Sequence, residues 1–513
     1  MKYLLGIDVG TSSAKTVLID ETGNVVFTVA PEYPFQTPRP LWAESNPEDW
    51  WKATVEAIQT VLAQSGVDAA SIVGLGLTGQ MHGLVMLDAA GKVLRPCIMW
   101  NDQRTAEECA ELTAKVGAKE VIQLTGNPVL PGFTAPKVLW VRKHEPEVYA
   151  RTAKILLPKD YIRYRLSGEF FTDVSDASGM ALLDVARRRW SNAMLAACEI
   201  PRSWLAEVTE SPVASTRLSA EAARLTGLTE GLPIIAGGGD QAAQAVGCGI
   251  VREGVISATL GTSGVVFAHS DAYRVEPEGR LHAFCHAVPD RWHLMGVMLS
   301  AAGSFQWYKN TLGVEEAALE KSTGENAYDL LTRAAAGVSA GSEGLLFLPY
   351  LSGERTPHPD PMARGVFFGL SLRHQKAHLT RAVLEGVSYG LRDSLELMRA
   401  LGISSSRIVA SGGGARSGLW RQMLADVFDT PLVTVNATEG AAYGAALLAG
   451  VGAGVYPTVE AACDATLAET GRTEPGADQP AYEAYYPHYR RLYPALKTAF
   501  AELGQTVYQQ HQA

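Results

Sequence analysis

Residues 4–19, LLGIDVGTSSAKTVLI, and residues 255–268, VISATLGTSGVVFA, decide how this 513-residue chain is read. Each is an apolar run, a Gly-Thr-Ser turn and a second apolar run, the pattern of two strands joined by a tight hairpin. Thr11 and Thr262 occupy the same place in the two copies, about half a chain apart. An internal repeat on that scale predicts two similar domains, each opening on such a hairpin. The turn signal Glu21-Thr22-Gly23-Asn24 adds a third strand, Val25 to Ala30, so the chain opens as a meander.

Further along, Asn46 is placed to cap a helix that begins at Pro47 and carries Glu48 and Asp49 in its first turn. Trp51, Val55, Ile58 and Leu62 recur at helical spacing, and Gly66 ends the helix. A strand follows from Ile72 to Leu77. Gly74 to Gly79 matches G-x-G-x-x-G, but no helix follows to offer its N-terminus to a pyrophosphate, so a dinucleotide site is set aside. Helical patterns at 103–116, 136–144, 160–166 and 192–199 alternate with short strands, which is α/β character. In the second half, helices are predicted at 304–312, 377–401 and 419–428, with strands at 344–349 and 408–411.

The length calls for more than one core. A hydrophobic content of 47% with 19% charged residues suits a soluble globular protein. A net charge of −10 argues against nucleic acid or an anionic membrane as the main partner. Polyphosphate remains possible, because such sites use local N–H groups and a metal ion. The six cysteines, at 97, 109, 198, 248, 285 and 463, form no C-x-x-C pair and suit a reducing cytoplasm. Met1 to Leu5 shows no signal peptide, and the small-residue run Ala441 to Val455 is too short and too weakly apolar to span a bilayer.

Candidate chemistry concentrates in Ile234 to Gly247, IIAGGGDQAAQAVG: a short strand, three glycines, an acid and an Ala-rich helix. That order puts Asp240 at the helix N-cap, ionised at neutral pH, with bare glycine backbone beside it for a ligand. An ordinary capping role and a catalytic one are both open. The turns Gly10-Thr11-Ser12-Ser13 and Gly261-Thr262-Ser263-Gly264 have the makeup of anion-binding nests or of plain hairpins. Asp8 could hold Mg²⁺ near phosphates. No G-x-x-x-x-G-K-[ST] occurs. His282/His286 and His374/His378 read as structural and not as metal ligands. His82 follows a strand, where either a polar ligand or a plain loop suits it.

Together these segments resemble the FGGY carbohydrate kinases over nearly the whole chain. Gly132 to His144 fits the first family signature and Gly365 to Glu385 the second. The resemblance implies two ribonuclease-H-like (actin-like ATPase) domains, 1–246 and 247–513, with ATP and sugar in a cleft between them that closes on sugar binding. It implies Asp240 as the base that takes the proton from the sugar hydroxyl, and Asp8 as the Mg²⁺ ligand. Thr11, Ser12, Lys15, Gly261 and Thr262 would cradle phosphates; Gly413, Gly414 and Ser417 would border the adenosine. Met81, His82, Trp100, Asn101 and Gln241 would line the sugar pocket. Gly79 to Gly83, Trp100 to Asp102 and Pro40 to Trp51 imply D-xylulose as the acceptor; another ketose or polyol, or a non-catalytic ATP-binding sugar sensor, are the alternatives. Gly132 stands where an aromatic residue lines the pocket in glycerol kinases. A cytoplasmic homodimer is expected.

Overall fold

The strands Tyr3–Val9 and Ala14–Asp20 pair antiparallel from Tyr3↔Asp20 to Val9↔Ala14, and Val25–Val29 completes the meander. The structure, a computed structural model, describes residues 1–437 and 439–512, with side chains as far as Val507. Six strands form the first sheet, in the order Ala214–Arg217, Pro233–Gly239, Ile72–Gly79, Tyr3–Val9, Ala14–Asp20, Val25–Val29. The three middle ones run parallel, from Pro233–Gly239 to Tyr3–Val9, and the outer pairings are antiparallel.

The repeat seen in the sequence is a repeat of topology. In the second sheet, Leu432–Val435, Ser405–Ser411, Gly254–Leu260, Gly264–Ser270 and Trp292–Met298 follow one another in the order of the five strands from Pro233–Gly239 to Val25–Val29, and Glu469–Thr473 is added beyond Leu432–Val435. The pairings Leu432–Val435 with Ser405–Ser411, and Ser405–Ser411 with Gly254–Leu260, are again parallel and flanked by antiparallel ones. Each sheet is the mixed α/β arrangement that the hairpin motif leads one to expect.

Alternation along Tyr3–Val9 sends residues to two cores, as a strand covered on both faces requires. Leu5, Ile7 and Val9 pack with Trp50, Ile58 and Val61 of the helix Pro47–Ser65. Leu4 packs on the other face with Val17, Ile19, Ala442 and Ala446. The first helix has the ends its sequence predicts: Asn46 accepts the Glu48 N–H at 3.2 Å, and Gly66 closes it with φ 70°. The G-x-G-x-x-G stretch lies entirely within the strand Ile72–Gly79.

Two compact units result: Met1–Arg252 with His269–His293 and Asn436–Ala468, and Glu253–Ala268 with Leu294–Val435 and Glu469–Ala513. Compared with the expected halves 1–246 and 247–513, the first unit runs on to Arg252 and takes two further segments from the second half, His269–His293 and Asn436–Ala468. The physical reason for one of them is backbone proximity. The helix Gly440–Gly452 lies so close to the first sheet that a Cβ on Gly6 would stand 2.7 Å from the Ala446 nitrogen, and one on Gly74 3.0 Å from the Ala449 carbonyl. It also meets the helix Asp240–Gly247, where a Cβ on Gly247 would stand 2.6 Å from the Gly440 carbonyl. This is the small-residue run of the sequence, and it serves as a buried helix; among the described residues no helix is long and apolar enough to cross a membrane.

Because backbone atoms cannot withdraw as a side chain can, Gly6→Ala is expected to cost about 2 kcal/mol or more in urea unfolding. Gly413→Ala, where nothing lies within 4 Å of the added carbon, should stay within about 0.5 kcal/mol of the parent.

Candidate active site

Three parallel strands of the first unit end level with one another: Asp8 pairs with Thr78, Val9 with Gly79, and Gly239 with Gly79. The residues that follow, Gly10–Ser13, Gln80–His82 and Asp240, therefore leave the sheet along one edge. In open α/β sheets that carboxyl edge is where ligands bind.

The Gly10–Ser13 turn is fastened from below. Gly10 N–H donates to the Ser13 carbonyl at 3.0 Å. The Tyr33 hydroxyl reaches the carbonyls of Gly10 (2.7 Å) and Ser13 (2.9 Å), and the Gln80 amide donates to Gly10 at 2.9 Å. Ser12 is exposed, while Thr11 Oγ1 accepts the indole N–H of Trp100 at 3.1 Å. A candidate phosphate turn and a candidate sugar wall thus share a hydrogen bond.

Asp240 departs from its expected place. The N-cap is Gly239, and Asp240 is the first residue inside the helix, its Oδ1 accepting only the neighbouring Gln241 N–H among backbone donors, at 2.8 Å. Burial pushes its carboxyl up to about 7, the nearby Asp8 charge adds to this, and Gln241 offsets part of it. Asp8 is likewise pushed up to about 6 by burial, against the pull of Lys15. The expectation of a fully ionised Asp240 is corrected accordingly: one neighbouring N–H does not outweigh desolvation and a like charge.

Met81 is buried beneath Gly239, where an added Cβ would lie 2.9 Å from its Cγ and Sδ, so it backs the strand end. His82 has φ 70°, a strained conformation for a non-glycine residue. It is held there by several partners. Nδ1 lies 2.7 Å from the Gly179 carbonyl, which assigns it the proton. The ring stacks on Phe133 at 4.6 Å, and its carbonyl receives Lys137 Nζ (2.9 Å) and Thr134 Oγ1 (3.0 Å). Lys137, fully buried, is pushed down to about 7 by desolvation, with Cys97 and Asp102 opposing.

Trp100 is 41% exposed. Asn101 Oδ1 is buried without a hydrogen-bond partner, and Asn101 lines, with Arg39, Leu41 and Trp42, a recess of about 490 Å³. The segment is anchored by a bidentate pair, Arg104 Nε to Asp102 Oδ1 at 2.9 Å and Nη2 to Oδ2 at 2.7 Å, with the guanidinium 3.7 Å over Trp42. A Cβ on Gly132 would stand 2.7 Å from the Trp100 carbonyl, so this wall approaches as closely as it does because residue 132 has no side chain. Lys15, the register partner of Asp8, pairs with Glu439 at 2.6 Å.

In the second unit, the equivalent strand ends, Thr259 and Ser411, are register partners linked by their hydroxyls at 2.9 Å. Gly261 and Thr262 follow one, and Gly413, Gly414 and Ser417 the other. The carbonyls of Gly261 and Thr262 accept N–H groups of Ala302 (2.9 Å) and Ala301 (2.9 Å). Gly413 is open, whereas Gly414 is packed against Leu260 and Trp420. Ser417 Oγ caps the helix Gly418–Phe428 by accepting the Trp420 N–H at 3.3 Å.

The histidine pairs have structural partners, as expected. His282 meets Asn127 at 2.8 Å, His286 the Ile250 carbonyl at 3.0 Å, and His378 accepts the Gln375 N–H at 3.1 Å in a capping box. Among the described residues no group of three or more His, Cys, Asp or Glu side chains could hold a metal ion. All six cysteines are free and buried. Sequence reasoning missed Lys137, Glu439 and Ser175; for Lys137 the signal was a charged residue inside an apolar helical stretch.

Two sheets that share a five-strand core of one topology, each presenting a Gly-Thr turn at its carboxyl edge, define a protein of the actin-like ATPase class. Residues 3–247 match the N-terminal domain, and residues 256–453 the C-terminal domain, of the FGGY family of carbohydrate kinases, and the chain belongs to that family. It is therefore a phosphotransferase acting on an alcohol group, with ATP and Mg²⁺ as donor. It is 44% identical to the xylulose kinase of Escherichia coli (strain K12) over 496 residues, covering 96% of this chain and 99% of that one. It is 46% identical to the xylulose kinase of Klebsiella pneumoniae over 448 residues, 87% of this chain and 89% of the other. The solved structure of a xylulose kinase from Rhodospirillum rubrum superposes with a TM-score of 0.90 at 31% identity, over 98% of this chain and 100% of that one.

A carboxyl whose pKa rises on folding binds more protons in the folded state between the two values, so stability falls as pH climbs through that window. For Asp240 the window runs from 3.8 to about 7. Asp240→Asn removes this penalty. Its Tm in scanning fluorimetry is expected to exceed the parent's by roughly 2 °C or more at pH 8, and the gain to fade towards pH 4; a pH-independent difference would contradict the linkage.

Proposed function

We propose that the chain transfers the γ-phosphoryl group of ATP to the 5-hydroxyl of D-xylulose, with Asp240 as general base. The observation that carries this reading is the pair of carboxylates, Asp8 and Asp240, at the ends of two strands that flank a third, beside the polar wall of His82, Trp100 and Asn101. The 44% identity to a xylulose kinase supports the choice of sugar.

A general base works best with a pKa near the working pH, and the rise of the Asp240 pKa by burial and the Asp8 charge supports that role. Asp8 fits a cation: its Oδ1 is buried without a hydrogen-bond partner, and a neighbouring positive charge would offset the burial of its own charge. Asp8 would hold Mg²⁺, which would supply charge neutralisation at the phosphates. Thr11 and Ser12 supply hydroxyls to them. Lys15 is engaged with Glu439, but a pair this exposed is worth about 1 kcal/mol or less, so a polyphosphate can draw the ammonium away. Gly261 and Thr262 receive the phosphates of ATP, and Gly413, Gly414 and Ser417 its adenosine. His82, Trp100, Asn101 and Gln241 hold the sugar hydroxyls, with Met81 supporting them from beneath. Phosphoryl transfer asks little covalent chemistry of a protein, so alignment and charge neutralisation carry most of the rate. A homodimer in the cytoplasm goes with this reading.

The test is a sugar panel in a coupled ADP-release assay. D-xylulose is expected to give the highest kcat/KM, and preference for ribulose or a polyol would replace it as the substrate. Asp240→Asn is expected to lower kcat by about 10² to 10⁴ with ATP affinity retained; a folded variant with near-normal turnover would remove Asp240 from the mechanism.

A further inference from the structure

Behind the strand that ends at Gly239, one residue before Asp240, lies a cluster of charge that the reaction above does not use. Lys159, Asp160 and Arg163, on the helix Pro158–Ser167, meet Asp173 and Asp176, and all five side chains are shut off from solvent. Lys159 Nζ lies 2.6 Å from Asp160, 2.9 Å from Asp173 and 3.1 Å from Asp176. Burial opposes the charge on Lys159, yet the three acids hold its pKa above the ordinary lysine value, while burial drives Asp176 well above the usual carboxylate range. Buried ion pairs rarely stabilise a fold more than apolar residues of the same volume would. Core stability alone does not account for this cluster.

Its hydrogen bonds converge on one irregular segment. Pro233–Gly239 slips out of register with Ile72–Gly79 between Ile235 and Gly238, at Gly237, whose φ is 72° and whose Cβ, if present, would overlap the Leu77 carbonyl. Peptides that lose their sheet partners there need others. Arg163 donates to the carbonyls of Ile235 (2.9 Å) and Ala236 (2.5 Å). Gly237 N–H goes to the Ser211 carbonyl at 2.9 Å, and the Ser211 hydroxyl to Asp173 Oδ2 at 3.0 Å. Ser175 donates its hydroxyl hydrogen to the same Oδ2 at 2.5 Å and accepts the N–H of Gly239, the residue before Asp240, at 3.1 Å.

We propose that the chain Lys159–Asp173–Ser175 is the positioning device for Asp240, fixing the Gly239 peptide and with it the direction in which the carboxylate faces the sugar hydroxyl. Ser175 is a positioning residue: it acts through the backbone and touches no substrate. The inference rests on Asp240 as the general base. Lys159 clamps Asp173, Asp173 orients the Ser175 hydroxyl so that its oxygen points at Gly239, and the bulge supplies an N–H for it to grip. A misplacement of about 1 Å at a reacting group can cost on the order of 10² in rate.

Ser175→Ala, Asp240→Asn and, as a stability control, Ile58→Val in the core against the helix Pro47–Ser65 test this together. Ser175→Ala is expected to lower kcat about tenfold with KM for sugar and ATP within about twofold, while Ile58→Val loses Tm without losing kcat. If Ser175→Ala does not fold, Ser175→Cys, similar in shape with a weaker acceptor, carries the same comparison. Unchanged kcat in the Ser175 variant, with turnover lost in Asp240→Asn, overturns the positioning role alone. A kcat loss in Ile58→Val that matches that of Ser175→Ala for the same drop in Tm overturns it as well. Retained turnover in Asp240→Asn instead removes the base, and the proposal falls with it.

Discussion

The level ending of three parallel strands, Tyr3–Val9, Ile72–Gly79 and Pro233–Gly239, is the constraint from which the site follows. It delivers an acid, a hydroxyl-bearing turn, a polar loop and a second acid to one edge from stretches separated by as many as 232 residues. Neither carboxylate finds a cationic ion pair of its own there: Asp8 has Lys15 near it in register, but that ammonium is drawn to Glu439. Both acids are consequently left with raised pKa values, which suits one to accept a proton and the other to meet a cation.

Two buried lysines show how differently the same fold treats a charge. Lys137 is surrounded by carbonyl oxygens, which accept hydrogen bonds from either protonation state, and desolvation prevails. Lys159 is surrounded by carboxylates, and their attraction prevails over the same desolvation. The first lies against the strained His82 backbone, and the second reaches the bulge before Asp240 through Asp173 and Ser175. Each sits where the chain adopts a conformation it would not hold unaided.

Much of this was legible in the sequence. The two hairpins, their correspondence through Thr11 and Thr262, the helix from Pro47 and the structural histidines could be read from turn residues and periodicity, because those signals are local. What was not legible depended on distance. Asp240 looked like a cap because Gly-Gly-Gly-Asp before an Ala-rich helix is how caps are written; that its partner in space would be Asp8 is set by sheet order. Met81 stood beside His82 in a polar motif, yet the space left by Gly239 draws it under the strand. Ser175, Asp173 and Lys159 carry no motif at all, since a buried network is assembled by tertiary packing from an unremarkable helix and strand. The run around Ala441 showed small residues but could not show which glycines they approach.

That run has a consequence for how the chain comes to be folded. The helix Gly440–Gly452 is wedged against Gly6, Gly74 and Gly247, so the unit that begins at residue 1 holds contacts between residues more than 400 apart in sequence. Contacts so distant along the chain are slow to form, and synthesis proceeds from the N-terminus. While the chain is being made, the first sheet emerges with one of its faces uncovered, and the glycines that later admit the helix offer little there for other elements to grip. The unit is first to be started and cannot be finished until Ala468 has been made, which makes the last quarter of the sequence a condition for the folding of the first.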